Sequence, residues 1–276
     1  MSEPITIPAP SSLNGTIGLG DAEMHFCDMP LGEGAQHVLR EKFALSSQRE
    51  MLHHLPAMLN DGTIYLGDLA RNEIQIVGVR RVYTHRFWTE LQLSVKMPPK
   101  KKGGEPISAA FAGIMPGHKF EPGVSVLPIV DRTHVVLIEN YRFHGCSAET
   151  IPGRGKGWRK ESMRGGYRPG EDKFAGAKRE AGEEAGVRVK EDAKLTDLGQ
   201  VEPDSGLLMS RVDIVAIQGI EIDETLVNLD VTEAPTKTLV LPVKDVARMI
   251  SRGEITCGIT VMGFTRALLQ GLIAYE

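Results

Sequence analysis

The chain has 276 residues, 41% hydrophobic and 25% charged, with a formal net charge of -4. That is ordinary for a globular chain and excludes general nucleic-acid binding, so any RNA contact has to be local. No apolar run approaches the ~18 residues of a membrane span and no secretory leader opens the chain, while Cys27, Cys146 and Cys257 are spaced too widely for a disulfide framework or a zinc motif. The expectation is a cytoplasmic protein with reduced thiols and no membrane partner.

Residues 1–34 are rich in proline, glycine and serine and read as an extended arm. Residues 35–43 and 47–59 suggest two short helices, the second broken by Pro56. His53 and His54 are adjacent, so they point apart on a helix and have no third ligand nearby. Residues 1–75 are expected to form an N-terminal extension of unknown role, and residues 76–276 the main domain. Over residues 74–96 the apolar residues alternate as in a strand, residues 98–104 form a hairpin loop, and residues 107–114 make another strand. Two buried strands follow at residues 124–128 and 135–139, joined by a turn at Asp131-Arg132-Thr133.

Residues 153–164 are glycine-rich and basic. Arg154, Lys156, Arg159, Lys160 and Arg164, with Arg168 beyond, face only Glu161 as counter-charge, and Trp158 sits among them. Such a segment is a mobile surface loop, a phosphate-gripping lid, or a local RNA contact in which Trp158 stacks on a base.

Residues 172–185 carry the densest signal. Phe174, Ala177, Ala181 and Ala185 recur at spacings of three and four, which predicts a helix with one apolar stripe. Glu180 and Glu184, four apart, share a second face, with Glu183 at its edge. Like charges at this spacing repel, so a positive partner is expected. Carboxylate oxygens are hard ligands suited to Mg²⁺ or Mn²⁺, and Mg²⁺ commonly completes its shell with substrate phosphate oxygens. Pro169-Gly170 predicts a turn before the helix and Gly186 a left-handed residue ending it.

The spacing from Gly165 through Glu171 to Arg179-Glu180-Ala181-Gly182-Glu183-Glu184-Ala185-Gly186-Val187 resembles the Nudix box, with every fixed position filled. The resemblance implies an α/β/α sandwich with a mixed sheet and a magnesium-dependent hydrolase of a nucleoside diphosphate linked to another group. By that likeness Glu180 and Glu184 are the main metal ligands and Glu183 a further ligand or water-orienting group. Arg179 would hold the carboxylates, Glu171 would brace Arg179, and Gly165 would let its loop approach closely.

The flanks are similar to the ADP-ribose pyrophosphatase branch. Asn140-Tyr141-Arg142 and the run Glu149-Thr150-Ile151-Pro152-Gly153 resemble its substrate motifs, so Arg142 and Glu149 would face the substrate or a second metal. Pro203, sixteen residues past Val187, matches a proline of that branch. The chain departs from the branch in Asn140, where glutamine is frequent, and in residues 153–164, which separate the Glu149–Gly153 run from the box. For the general base the candidates are Glu233, closer to the expected position, Glu224, and Glu183.

The resemblance further implies a homodimer whose early strands help build an adenosine pocket. Phe87 and Trp88 would serve there as a stacking surface or as dimer core. Its preferred reaction is ADP-ribose to AMP and ribose 5-phosphate. The alternatives are NADH, a dinucleoside polyphosphate, a nucleotide sugar or an RNA cap as substrate, or a non-catalytic nucleotide-sensing domain.

Overall fold

The computed structural model describes residues 66–84, 88–101, 103–116, 123–142, 157–168, 170–229 and 236–276. The chain divides into two compact units. One comprises Met1–Phe120 with Asp204–Ser210, and the other Glu121–Pro203 with Arg211–Glu276. The boundary expected at residues 75 and 76 falls at the start of the first strand, inside the first unit. The arm, the two short helices and the histidine pair expected before it lie outside the described residues.

The first unit carries an antiparallel sheet of β1 (Gln75–Thr84), β2 (Trp88–Met97) and β3 (Ile107–Pro116), in that order. The single alternating run expected at residues 74–96 is thus two strands. Leu91, Leu93 and Val95 alternate to one face and are buried opposite Gly113, Phe111 and Ala109. Residues 204–210 join this unit, where Met209 N–H donates to the Ile114 carbonyl at 2.6 Å.

In the second unit, β4 (Gly123–Asp131) and β5 (His134–Tyr141) form the expected hairpin. Its turn is set by Asp131, whose carboxylate accepts from the Thr133 N–H at 2.7 Å and the Thr133 hydroxyl at 2.8 Å. The other strands are β6 (Trp158–Glu161), β7 (Met163–Gly166), β8 (Val187–Val201), β9 (Val212–Ile222) and β10 (Lys237–Pro242). The sheet order is β10-β5-β4-β9-β8, with β6 on β5 and β7 on β4. β4 and β9 run parallel and the remaining pairs antiparallel, so the sheet is mixed.

Among the described residues three helices cover the sheet: α1 (Lys173–Ala185), α2 (Val243–Ser251) and α3 (Gly258–Leu269). Alternation along the central strands supplies both faces. Val124, Val126, Val136, Ile138, Val215 and Ile217 pack on Ala177, Ala181 and Ala185 of α1. Leu127, Ile129, Val135, Leu137 and Ile214 pack instead with Val246 of α2 and Phe264 and Ala267 of α3. The result is the expected α/β/α sandwich. None of the described helices is long and apolar enough to cross a membrane.

One expectation is corrected. The latter part of the segment read as a mobile insertion is β structure. β6 pairs with the end of β5 and β7 with the start of β4, around Ser162. A buried hydroxyl chain fixes that corner: Ser125 Oγ lies 2.8 Å from Ser162 Oγ, and Ser162 N–H donates to Thr260 Oγ1 of α3 at 3.0 Å.

Candidate functional site

The site is built on α1, whose ends are both capped. Asp172 accepts the Ala175 N–H at 2.7 Å, and Gly186 takes φ 62°. A Cβ on Gly186 would sit 2.4 Å from the Asp223 carbonyl, so glycine is required for position as well as for angle. Thr236 and Thr238 hydroxyls donate to the Glu184 and Ala185 carbonyls, satisfying acceptors that a helix end leaves open. The alanine stripe lets α1 lie close on the sheet, and its opposite edge carries the acidic residues over β7.

Arg179 organises that edge with all five of its N–H donors. Nε donates to Glu171 Oε1 at 2.9 Å and Nη2 to Glu171 Oε2 at 2.9 Å. Nη1 donates to Glu180 Oε1 at 2.5 Å and Glu183 Oε2 at 2.9 Å, and Nη2 also to the Gly166 carbonyl at 2.8 Å. The fork to Glu171 is the bidentate arrangement in which arginine excels. Those hydrogen bonds from Arg179, chiefly, hold the Glu171 carboxyl below its ordinary range. Arg179 is in turn pushed above its ordinary value, first by its hydrogen bond to Glu171.

Gly165 lies against Glu180: a Cβ there would be 2.1 Å from Oε1. Glu184, 3% exposed, accepts the Arg164 N–H at 2.9 Å. Glu183 reaches solvent most, with its side chain 26% exposed against 8% for Glu180. Its second oxygen accepts from Arg168 Nη2 at 2.6 Å. Among the described residues, no three His, Cys, Asp or Glu side chains converge as a ready-made cation cage. The glutamates point instead to guanidinium and backbone donors. Tyr167 steadies the loop between β7 and α1 by donating to Asp213 at 2.5 Å, and burial foremost raises its pKa.

The structure brings together Glu171, Arg179, Glu180, Glu183 and Glu184. The other expected residues fare differently. Glu149 and Glu233 lie outside the described residues, as does Phe87. Pro203 is exposed past the end of β8, where the chain passes between the two units. Glu224 is exposed in a 3-10 turn, Glu224–Leu226, that adjoins the end of α1 through Asp223 N–H to the Gly186 carbonyl at 2.7 Å. Trp158 lies in β6 rather than in a free loop, with its ring edge-on to Tyr141 at 5.7 Å.

Arg142, expected to face substrate or a second metal, pairs with Glu161 among the described residues. Nε donates to Glu161 Oε1 at 2.5 Å, and the buried Nη2 lies 2.5 Å from the same oxygen. Glu161 is 1% exposed and also accepts from Asn140 at 3.3 Å, with Arg164 3.5 Å from its other oxygen. Glu161, legible in the sequence only as a counter-charge to the basic segment, is the buried centre of this cluster. It stands four residues before Gly165, the same E-x3-G spacing that drew attention to Glu149, and directly joined to the box. Arg168 likewise has a partner beyond Glu161, namely Glu183.

No family model matches the chain, and no curated protein matches it in sequence. Among solved structures, the fold is similar to the crystal structure of an ADP compounds hydrolase, with a TM-score of 0.54 and 19% identity, covering 70% of this chain and 91% of that one. At that identity the likeness is one of fold.

Proposed function

We propose that the second unit hydrolyses a nucleoside diphosphate linked to a second group, using Mg²⁺ or Mn²⁺, with ADP-ribose as the preferred substrate and AMP and ribose 5-phosphate as products. The observation that carries this is the Arg179 clamp. One guanidinium organises Glu171, Glu180 and Glu183 while Gly165 leaves the space that the Glu180 carboxylate fills. A solvated acidic face has no need of such a clamp. The adenosine diphosphate class is supported by the fold neighbour, an ADP compounds hydrolase.

The donor set fits a hard divalent cation, being carboxylate oxygens on one helix edge beside a glycine backbone. Glu180 and Glu184 would hold it, with Glu183 as the third group. When bound, the cation supplies charge neutralisation at the diphosphate oxygens and acidifies water at the site. The remaining work belongs to this chain's residues. Arg179 fixes the Glu180 carboxylate, and Arg164 N–H fixes that of Glu184. Glu183, the most solvent-facing of the three, orients the attacking water, and Glu233 takes its proton, with Glu224 as the other candidate. The water oxygen bonds to one phosphorus, the bridging P–O bond breaks, and the second phosphate leaves with the bridging oxygen. The reading includes a cytoplasmic homodimer.

A substrate panel with Mg²⁺ tests it: ADP-ribose, NADH, a diadenosine polyphosphate, a nucleotide sugar and capped RNA. Fast turnover of another compound with none of ADP-ribose sinks the preferred substrate. Glu184→Gln is expected to lower hydrolysis by about 10²–10³-fold, the scale of losing one directed electrostatic group, with an unchanged circular dichroism spectrum. Undiminished hydrolysis in that variant overturns the metal assignment.

A further inference from the structure

Arg168 is not a fixed position of the box, yet its side chain lies on the box's most exposed carboxylate. Glu183 is paired at both oxygens, and the two partners differ. Arg179 is 14% exposed and tied to four acceptor groups, whereas Arg168 is 62% exposed and, among the described residues, its side chain has one partner, Nη2 donating to Glu183 Oε1. Exposed pairs of this kind are weak and readily exchanged.

The backbone around Arg168 is held while its side chain is not. Arg168 N–H donates to Glu171 Oε2 at 2.8 Å, and the Gly166 carbonyl two residues earlier accepts from Arg179. Any movement of this guanidinium is therefore a change of rotamer about a fixed point beside the glutamates. A forked guanidinium matches phosphate as well as carboxylate. An arginine resting on Glu183 also blocks an oxygen that a cation would need.

We propose that Arg168 is a displaceable latch. It occupies Glu183 in the resting site, and it turns to grip the substrate's diphosphate when that carboxylate is taken up in catalysis. The proposal rests on the metal-dependent diphosphate reading above and adds a substrate-binding residue to it. Arg168 acts on binding of the ground state, so its loss shows in KM rather than in kcat.

The test uses Arg168→Gln and Arg168→Lys in the full chain. Mn²⁺ affinity is read by calorimetry without substrate, and KM and kcat are read on the best substrate of the panel. Arg168→Gln is expected to tighten Mn²⁺ binding by about 5-fold, the scale of one exposed ion pair that no longer competes for Glu183. It should raise KM by about 10-fold, as for a lost charge-assisted hydrogen bond, with kcat little changed. Arg168→Lys should fall between. In a Glu183→Gln background the tightening should vanish, because the latch has nothing to block.

Unchanged KM, or a tightening that persists in the Glu183→Gln background, overturns the latch alone. Weaker Mn²⁺ binding in Arg168→Gln also overturns it, and makes Arg168 a brace for Glu183. A wild-type protein that neither binds Mn²⁺ nor cleaves any diphosphate overturns the functional reading and the latch with it.

Discussion

The two faces of the sheet in the second unit are packed by opposite means. Under α1 the helix contributes only Ala177, Ala181 and Ala185 as fully buried apolar side chains. Across the sheet, α2, α3 and the segments around them contribute Val246, Ile255, Ile259, Phe264 and Ile273. Small residues let α1 approach closely, and Gly176 shows how closely: a Cβ there would meet the Tyr167 ring at 3.0 Å. The apolar area so forgone is replaced by caps, threonine hydroxyls on the last carbonyls, and the Arg179 network. Both faces are buried, but one is filled by larger helix side chains and the other carries the chemistry. Mutations should separate stability from activity along that line.

Phe264→Ala is the strongest test of the apolar face. Removing a buried phenyl group from a packed core costs about 3–5 kcal/mol. Urea unfolding should show that loss, while kcat and Mn²⁺ affinity measured well below the new midpoint stay close to wild type. A parallel loss of metal affinity would mean that the faces are coupled through the strands. Gly165→Ala tests the other face. Its methyl group would need the space of the Glu180 carboxylate, an overpacking that costs about 1–3 kcal/mol of stability. Hydrolysis should be lost at temperatures where the variant remains folded. Retained hydrolysis would show that Glu180 does not need its place against Gly165.

The same division explains what the sequence made legible. Helix α1 could be read because its determinants are local: a 3.6-residue period, Asp172 before it and Gly186 after it. The site glutamates share that helix, so their convergence followed from spacing alone. Glu171 and Gly165 were added by the resemblance. β6 and β7 were missed because a short, basic, glycine-flanked segment has no strand pattern of its own. Its pairing depends on β4 and β5, some twenty to forty positions away in the chain. The importance of Glu161 was hidden for the same reason, since its burial is created by Arg142 and Asn140 on another strand. In the first unit, alternation over residues 74–96 revealed strand but could not show where one strand ended and the next began.

The smallest expected effect is also the one that reads the charged face directly. Glu171 titrates below its ordinary value of 4.5, chiefly through the hydrogen bonds of Arg179, against an opposing effect of burial. A carboxylate whose folded pKa is depressed contributes stability that is present above the unfolded value and lost as pH falls through the folded one. Arg179 remains charged throughout, so the titrating partner in this window is the carboxylate. Melting temperature should thus be insensitive to this pair down to about pH 5 and fall below it. Asp197, drawn down chiefly by Lys173, and Asp223, by Thr225, add to the same acid-side fall. The decisive quantity is therefore a difference. Glu171→Gln should lower the melting temperature at neutral pH and show a shallower fall below pH 5 than wild type. Phe264→Ala should shift the whole curve downward without changing its shape. If Glu171→Gln retains the wild-type acid slope, the clamp on α1 is not what the charged face contributes to stability.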